Sequence, residues 1–562
     1  RLDDDSAYHL PYTRAFLDTG GLPFLADLRF PTLPQLQELA WGPLLAWGGE
    51  GGVTAMVLAE TLLVAVLVAG IAARHAGPAA GAAAAGLWLG HPYVVLYGTA
   101  AFVDTALALF VVGAFAAIDL AREERRRDTG EVDGLPGETR REGQREGTAD
   151  EVRGGSGTHW LAVAGLLAGT AAGIKYHGLV FLLLALSYAL LAVGPWRPRR
   201  RRRPPGTMDR GTRTMQAGTL PSVALLALVA LLAAGPTYIH LARLTGNPVF
   251  PLLPQVFGYS PWAIEDIERA VDRTPEGDPP GTAPAPRPRL TQLDRAADPS
   301  RGRLAGAVVG LLELPARLTL RPGPEWGPPP FHPALLLAAP LVLLPGVRRR
   351  GLLLAAAAVV PYGLLWFSTG RDPRYLFPAV ALLSPLLGAG LARPLTLPGD
   401  GAWARSPLAL AALLLVLAAP GAAYATHRLA VQGPPPTTPA ARDAYLARRL
   451  PGYRPLRHLG AAGTTGRGCT VYALRGGQLQ YDSPCRLLGS DLGPGRYARF
   501  LPLLGAPDRL RRELAALGAT HLLLVEPYAT PRHVEPLVAE GSFRLLHRDP
   551  RAALFALGTP DP

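Results

Sequence analysis

Ten bunched apolar stretches constrain this chain more than any other feature of its sequence. They occupy residues 53–73, 79–97, 101–121, 159–174, 177–195, 219–243, 331–346, 351–369, 374–393 and 407–426. A run of about 17–25 apolar residues, rising about 1.5 Å each, crosses a bilayer core of roughly 30 Å. Nearly half of the 562 residues are apolar (49%), and a soluble protein does not carry so many such runs. The predicted fold is mainly α: a polytopic transmembrane helical bundle of about ten spans. The chain opens at Arg1 and enters Asp3-Asp4-Asp5 at once. The order of the segments after this acidic run leads us to expect a further transmembrane helix ahead of residue 1.

A net charge of +13 could indicate a nucleic-acid partner. The arginines instead cluster beside spans, as at Arg199–Arg203 and Arg348–Arg350, which is where a membrane protein concentrates positive charge on its cytoplasmic side. No nucleic-acid partner is expected. A Gly-rich phosphate loop, a CxxC pair and an HExxH motif are all missing from the sequence, so the chemistry they signal is not expected either.

Two signals orient the chain. If residues 1–52 lie outside the cytoplasm, alternation places 122–158, 196–218, 347–350 and 394–406 inside. Those segments hold the arginine clusters, which the alternation did not use. The outside then holds 1–52, the turn at Lys175, 244–330, 370–373 and everything after about 427. The two cysteines, Cys469 and Cys485, both fall in that last region. A disulfide suits an oxidising compartment, and their spacing permits a bridge or two free thiols.

Lys175 is the only lysine among the 56 Lys and Arg residues. It sits inside the apolar run 160–196, and an ionisable residue at membrane depth is a functional-site hypothesis by default. As one helix that run would measure about 55 Å, well beyond a bilayer. It must fold back, with Gly173 and Gly178 bracketing the turn, so Lys175 is expected at the outer membrane surface.

Segments 128–157 and 273–300, rich in Gly, Pro, Arg and acids, read as disordered loops. The pattern over 303–320, with Glu313, Pro315 and Arg317, reads as an interfacial helix. From about 440 the composition becomes that of a soluble domain. Leu510, Leu514 and Leu517 mark one helix face with Gly518 as its stop; 471–474, 520–526 and 543–557 read as strands. This gives three parts: a first extracytoplasmic loop with an acidic motif (1–52), a transmembrane core (53–426) and a small extracytoplasmic C-terminal α/β domain (427–562).

The external face gathers unusual residues. Asp3, Asp4 and Asp5 precede Tyr8 and His9. Asp104 lies three residues into the 101–121 span. Arg371, Asp372 and Arg374 precede or open the 374–393 span. Each has a plainer role open to it: a solvated acidic loop, a helix-capping carboxylate for Asp104, or snorkelling anchors for the arginines and Lys175. Their joint placement on one face is what suggests a site.

These residues carry a resemblance. RLDDDSAYHLPYTRAFLDTGGLPF, followed by FPTLPQLQELAWGPL, resembles the first external loop of the GT-C superfamily of membrane glycosyltransferases, which includes protein O-mannosyltransferases and the lipid A aminoarabinose transferase. AAFVDTALALF, GIKYHG, GNPVFPLL and RYLFPAVALL extend the match in order through most of residues 1–395. The C-terminal region departs from it, reading as α/β rather than the trefoil-type domain of the O-mannosyltransferases. The resemblance implies a multi-helix fold with its active site at the external membrane surface and a sugar donor carried on a polyprenyl phosphate. It implies a first-loop acid as the base, here Asp4, with Asp5 as second choice. Tyr8, His9, Asp104, Lys175, Tyr176, Arg371, Arg374 and Tyr375 then form the substrate-binding set.

The expectation is therefore a plasma-membrane glycosyltransferase of the cell envelope. It moves a hexosyl or pentosyl group from a polyprenyl-phosphate donor to a hydroxyl of a glycan, lipid or protein acceptor. Glycosyl transfer passes through an oxocarbenium-like state; a carboxylate deprotonates the acceptor and fixed cations stabilise the departing phosphate. No resident cofactor is assigned, and a divalent metal stays open because hard cations take carboxylate ligands. The alternatives are a transporter or flippase of lipid-linked sugars, which would gather charges near the midplane of paired repeats, and a non-catalytic membrane scaffold.

Overall fold

The computed structural model describes residues 4–128, 157–193, 219–258, 260–262, 303–321, 329–337, 340–341, 356–369, 372–395, 407–461, 463 and 468–558. The loops expected over 128–157 and 273–300 fall outside these residues except at 128 and 157.

From Asp4 onward, the first segment is largely helical rather than a loop. A wide helical turn, Asp5–His9, runs into α1 (Leu10–Thr19), and a second helix, α2, spans Leu36–Ala76. Gly49, at φ 60° and ψ −154°, breaks α2 into a short first arm and a long apolar one, a backbone state glycine tolerates without a Cβ clash. The 79–97 stretch is likewise not one span. It is α3 (Pro78–Leu89) and α4 (Pro92–Tyr97), separated at Gly90 and His91. Pro92 explains the break: it lacks an N–H and suits only the first turn of a new helix.

The core continues through α5 (Asp104–Asp128), α6 (Thr158–Ile174), α7 (Tyr176–Val193) and α8 (Thr219–Thr245). It ends with α9 (Arg303–Leu320), α10 (Val359–Thr369), α11 (Phe377–Leu391) and α12 (Pro407–Gln432). Among the described residues five helical units are long and apolar enough to cross a membrane: α2, α5, α8, α12 and the Pro373–Leu395 unit that contains α11. α3, α6, α7 and α10 are apolar but shorter. In α9 an Arg317 to Glu313 ion pair at 2.6 Å sets a charged patch on an otherwise apolar helix.

Burial sorts these helices. Over an 18-residue apolar window, 72% and 83% of the positions are buried in α5 and the Pro373–Leu395 unit, against 28% and 22% in α8 and α12. The first two form the interior; the others present Leu228, Leu231, Leu232, Leu415 and Val416 outward, as a lipid-facing surface does. Close helix contact uses small residues. A Cβ at Gly165 or Gly169 of α6 would stand 2.4 Å from the carbonyl oxygens of Leu226 and Ala230 on α8, so the glycines let the two backbones meet.

α12 runs past residue 427, so the C-terminal domain begins after Gln432 rather than at 427. It contains α13 (Pro439–Arg449), α14 (Tyr453–Ala461), β1 (Thr470–Leu474), β2 (Arg486–Leu488), α15 (Pro507–Ala516), β3 (His521–Val525), α16 (Pro531–Ala539), β4 (Phe543–Asp549) and β5 (Ala552–Leu557). The strands form one sheet in the order β2-β1-β3-β5-β4, with β2, β1 and β3 parallel and the other pairings antiparallel. Side chains alternate across it. Tyr472, Leu474, Leu522 and Leu524 join Leu510 and Leu514 of α15 on one face. Val471, Ala473 and Leu523 join Leu446 and Leu456 on the other. Both faces are covered, which is why β1 and β3 are apolar throughout. A Cys469–Cys485 disulfide ties the start of β1 to the start of β2, with the Cα atoms 5.1 Å apart.

Candidate active site

The turn at Lys175 is built by its neighbours. α6 ends at Ile174, Lys175 is extended (φ −158°, ψ 147°), and α7 begins at Tyr176. A Cβ at Gly178 would stand 2.1 Å from the Ala171 carbonyl oxygen, so glycine is what permits so tight a reversal. Lys175 Nζ donates to Oδ1 of Asp104 at 2.6 Å. Asp104 is the first residue of α5, not three residues inside it; at a helix N-terminus its charge is favoured by the backbone dipole. It is almost fully buried.

Arg374 and Tyr375 lie on a short 3-10 turn, Pro373–Leu376, that opens the α11 unit. Asp372 caps the turn, its Oδ1 accepting from the Arg374 backbone N–H at 3.1 Å. Two side chains of α10 lock the turn: Trp366 donates to the Asp372 carbonyl at 2.9 Å and Tyr362 to that of Tyr375 at 2.6 Å. The backbone being fixed, the Arg374 side chain has little freedom. Its Nη2 donates to Oδ2 of Asp4 at 2.5 Å, and its Nε lies 3.0 Å from Asp372. Phe102, Tyr375 and Tyr97 surround the guanidinium at 5.0, 5.3 and 5.8 Å, within cation–π range.

Tyr375 links the two ion pairs. Lys175 Nζ sits 4.2 Å over its ring while Arg374 Nη2 lies 3.5 Å from its hydroxyl. Residues from the first segment, α5, the α6–α7 turn and the 3-10 turn thus form one cluster. Asp4 is buried there, and burial by itself would raise its pKa; the charges of Arg374, Arg29 and His9 outweigh that and hold the carboxyl well below the usual carboxylate range. The Tyr8 ring lies tilted against that of His9 at 4.3 Å and meets Phe30 edge-on at 5.3 Å. Asp5 is buried in the same turn.

Not every residue of the expected set is in the cluster. His9 is bound to Glu38 of α2, Nδ1 to Oε1, at 2.6 Å. Tyr176 turns away, its hydroxyl donating to the Phe250 carbonyl; its neighbour His177 faces the Tyr375 ring instead, at 4.6 Å. Arg371 lies outside the described residues. Two contributors, Arg29 and Phe102, escape the sequence reading, and Asp372 stands on the external face there without a place in the binding set. Arg29 reaches Asp4 at 3.8 Å and Asp491 of the C-terminal domain at 3.7 Å. Phe102 and Asp372 flank Arg374. The Asp-Pro pairing at Asp372 is itself a turn-initiating signal; no local pattern marks Arg29.

Elsewhere His75, Asp119 and Glu123 hold ligand atoms close enough together for a metal ion. Arg74 and Arg122 already contact Asp119 at 3.0 and 3.2 Å, so the group is a charge network fastening the far ends of α2 and α5.

The helical core and C-terminal domain together have known counterparts. ArnT from Cupriavidus metallidurans bound to undecaprenyl phosphate aligns over 98% of this chain and 93% of its own, with a TM-score of 0.53 and 14% identity. The apo oligosaccharyltransferase of Archaeoglobus fulgidus aligns over 99% and 71%, with a TM-score of 0.52 and 12% identity. AglB of the same organism, in complex with an inhibitory peptide and a dolichol-phosphate, aligns with a TM-score of 0.50 and 11% identity, over 99% of this chain and 71% of its own. The chain therefore shares the overall fold of these proteins. A family model, SF2091/S2213, matches residues 441–556, the C-terminal domain. No curated protein matches the chain.

Proposed function

We propose that this protein is an integral-membrane glycosyltransferase that moves a sugar from a polyprenyl-phosphate donor to an acceptor hydroxyl on the extracytoplasmic face of the plasma membrane. The observation that carries this reading is the cluster itself: two cations, Lys175 and Arg374, share one aromatic ring, with the Asp4 carboxylate on Arg374. Cations suit a lipid phosphate, Lys as a point charge and Arg as a fork. The ArnT and AglB structures contain undecaprenyl phosphate and dolichol-phosphate, which supports a lipid phosphate as the ligand here.

Sidedness is supported by α5. Asp104 opens it and Arg125, Arg126 and Arg127 close it, about 32 Å apart at the helical rise. That separation is about one bilayer core, which supports opposite faces for the site and the arginine cluster, in keeping with the positive-inside bias. The five long units and the four shorter apolar helices make nine candidate crossings among the described residues.

In this arrangement Asp4 is a weak base, since Arg374 holds it ionised. A donor phosphate taking up Arg374 and Lys175 would release it. Asp4 then accepts the proton of the acceptor hydroxyl as that oxygen bonds to the anomeric carbon and the sugar–phosphate bond breaks. The two cations stabilise the charge left on the phosphate, in a site shielded from water. Asp104 positions Lys175. Asp4, Asp104 and Asp372 are each paired with a side-chain cation in this arrangement, and no step is routed through a divalent cation.

The test is transfer from a synthetic undecaprenyl-phosphate sugar by the chain in lipid nanodiscs. Asp4→Asn should abolish it and Asp5→Asn should weaken it less. Wild-type rates in both variants would remove the first segment from catalysis, and sugar flux without a transfer product would favour the flippase reading.

A further inference from the structure

We propose that the C-terminal sheet domain forms the roof of an acceptor site above Asp4, and that Arg475 is the residue that recognises an anionic group on a hydroxyl-rich acceptor. This rests on the transferase reading above. A cavity of about 500 Å³ lies between the first segment and the C-terminal domain, with Asp4, Ala7 and Arg29 on one wall. Its volume suits a small-molecule or oligosaccharide-sized ligand.

The opposite wall has a specific origin in the sheet. Arg475 and Gln478 follow the end of β1, Ser490 and Asp491 follow β2, and Glu526 and Pro527 follow β3. These are the three adjacent parallel strands, and all three present their carboxyl ends to the cavity. Open α/β sheets bind ligands in the crevice outside those ends, because the loops there can vary while the strands hold them rigidly. The wall is fixed in place over the first segment. Arg486 grips Asp27 through two hydrogen bonds of 2.7 and 2.8 Å, the Tyr481 N–H donates to the Ser6 carbonyl at 3.1 Å, and Arg14 donates to the Tyr481 carbonyl at 2.9 Å.

The cavity's charges do not balance. Its carboxylates are engaged: Asp4 with Arg374 and Arg29, Asp491 with Arg29, and Glu526 with Arg551. Arg449 donates to a backbone carbonyl, that of Val431. The Arg475 side chain makes no hydrogen bond or ion pair to another described residue. It also occupies the left-handed region, φ 67°, an unfavourable place for a residue with a side chain and one that tends to mark functional positions. A cation held in a polar cavity without a protein anion calls for a ligand anion. A phosphate or a carboxylate on the acceptor would supply it, leaving the acceptor hydroxyl toward Asp4.

Binding to the full chain in nanodiscs tests this with three probes: glucose, glucose 6-phosphate and glucuronate. Undecaprenyl phosphate binding is measured in parallel. Arg475→Gly removes the guanidinium while keeping the backbone in a region glycine favours; Arg475→Lys keeps the charge. One or both charged sugars should bind more tightly than glucose. Arg475→Gly should weaken that binding about tenfold, the scale of one charge-assisted contact, and Arg475→Lys should retain part of it; neither should alter undecaprenyl phosphate binding. The phosphate and carboxylate arms identify the anion. Equal binding of all three sugars, or charged-sugar binding unmoved by Arg475→Gly, overturns the proposal. Loss of the transferase reading reads differently: undecaprenyl phosphate fails to bind, or ignores Lys175→Ala, while the sugar probes still depend on Arg475.

Discussion

Arg374 donates to Asp4 at 2.5 Å across a separation of 370 residues, joining the first segment of the chain to the turn that opens one of its most buried helical units. The pair couples the proposed base to the proposed phosphate clamp. Whatever binds Arg374 changes the basicity of Asp4, and each residue can be tested through the other.

Replacing Arg374 by alanine should therefore have two effects. The donor loses a phosphate contact, and Asp4 loses its main partner while still buried. Donor-limited kcat/KM should fall by about 10²-fold or more, since removing one partner of a buried, hydrogen-bonded charge pair costs about 2–5 kcal/mol. Arg374→Lys should recover only part, because lysine lacks the planar fork. Steady-state kinetics with saturating acceptor decide it; unchanged kcat/KM in Arg374→Ala would separate the pair from the reaction.

Lys175→Ala should raise the donor KM about tenfold, the loss of one charge-assisted hydrogen bond of about 1.5 kcal/mol. Lys175→Arg should fall between the two. If alanine leaves donor affinity and rate untouched, the lone lysine is an interfacial anchor and nothing more.

Asp104→Asn leaves the Lys175 ammonium without its carboxylate beside a buried position. Breaking such a pair from one side costs about 3–5 kcal/mol. The double variant Asp104→Asn, Lys175→Met should be more stable than Asp104→Asn alone, because the stranded charge is gone. A double-mutant cycle on thermal unfolding in detergent reads the coupling; additive effects would mean the 2.6 Å contact contributes nothing.

The pH dependence comes from the direction of the Asp4 shift. Its folded pKa is depressed, so the pair's contribution to stability is fully present above the ordinary carboxylate value of about 3.9. It is lost only as pH falls through the lowered folded value. Between pH 5 and 8 the free protein should show no acid limb in kcat/KM arising from Asp4. A limb near pH 6 that disappears in Asp4→Asn would show that Arg374 does not hold this carboxylate in the working protein.

The Cys469–Cys485 bridge closes a loop with a sequence separation of 16. Restricting the unfolded chain over such a loop stabilises by about 3 kcal/mol in the chain-entropy account. Reduction, or Cys469→Ala with Cys485→Ala, should lower the midpoint of C-terminal-domain unfolding accordingly.

Some of this site was legible before any coordinates. Lys175 stood out by composition, and a length argument alone turned the apolar run 160–196 into a hairpin. Asp104 and Arg374 are visible as charged residues at or near the starts of apolar stretches, while Asp4, in its acidic run, and Tyr375 take their roles only from the resemblance. What could not be read was who meets whom. Tyr176 is in the set read from the sequence, yet the start of α7 turns it toward Phe250 and its neighbour His177 toward Tyr375. Arg29 has no local signal, because its partners, Asp4 and Asp491, lie in separate parts of the chain. The 79–97 stretch looked like one span by hydropathy, although its proline stops the helix partway.

Sequence by itself determined what is local and one-dimensional: which segments are apolar, where the chain must turn, where positive charge collects and which strands are buried on both faces. Hydrophobic length and backbone chemistry decide these without reference to neighbours. Tertiary structure alone decided that Tyr375 lies against both cations, that Asp4 is held by Arg374, and that the carboxyl ends of three parallel strands roof the cavity beside Asp4. Those relationships depend on packing between segments hundreds of residues apart. Charges and rings interact over a few ångströms, and no spacing along the chain encodes such distances.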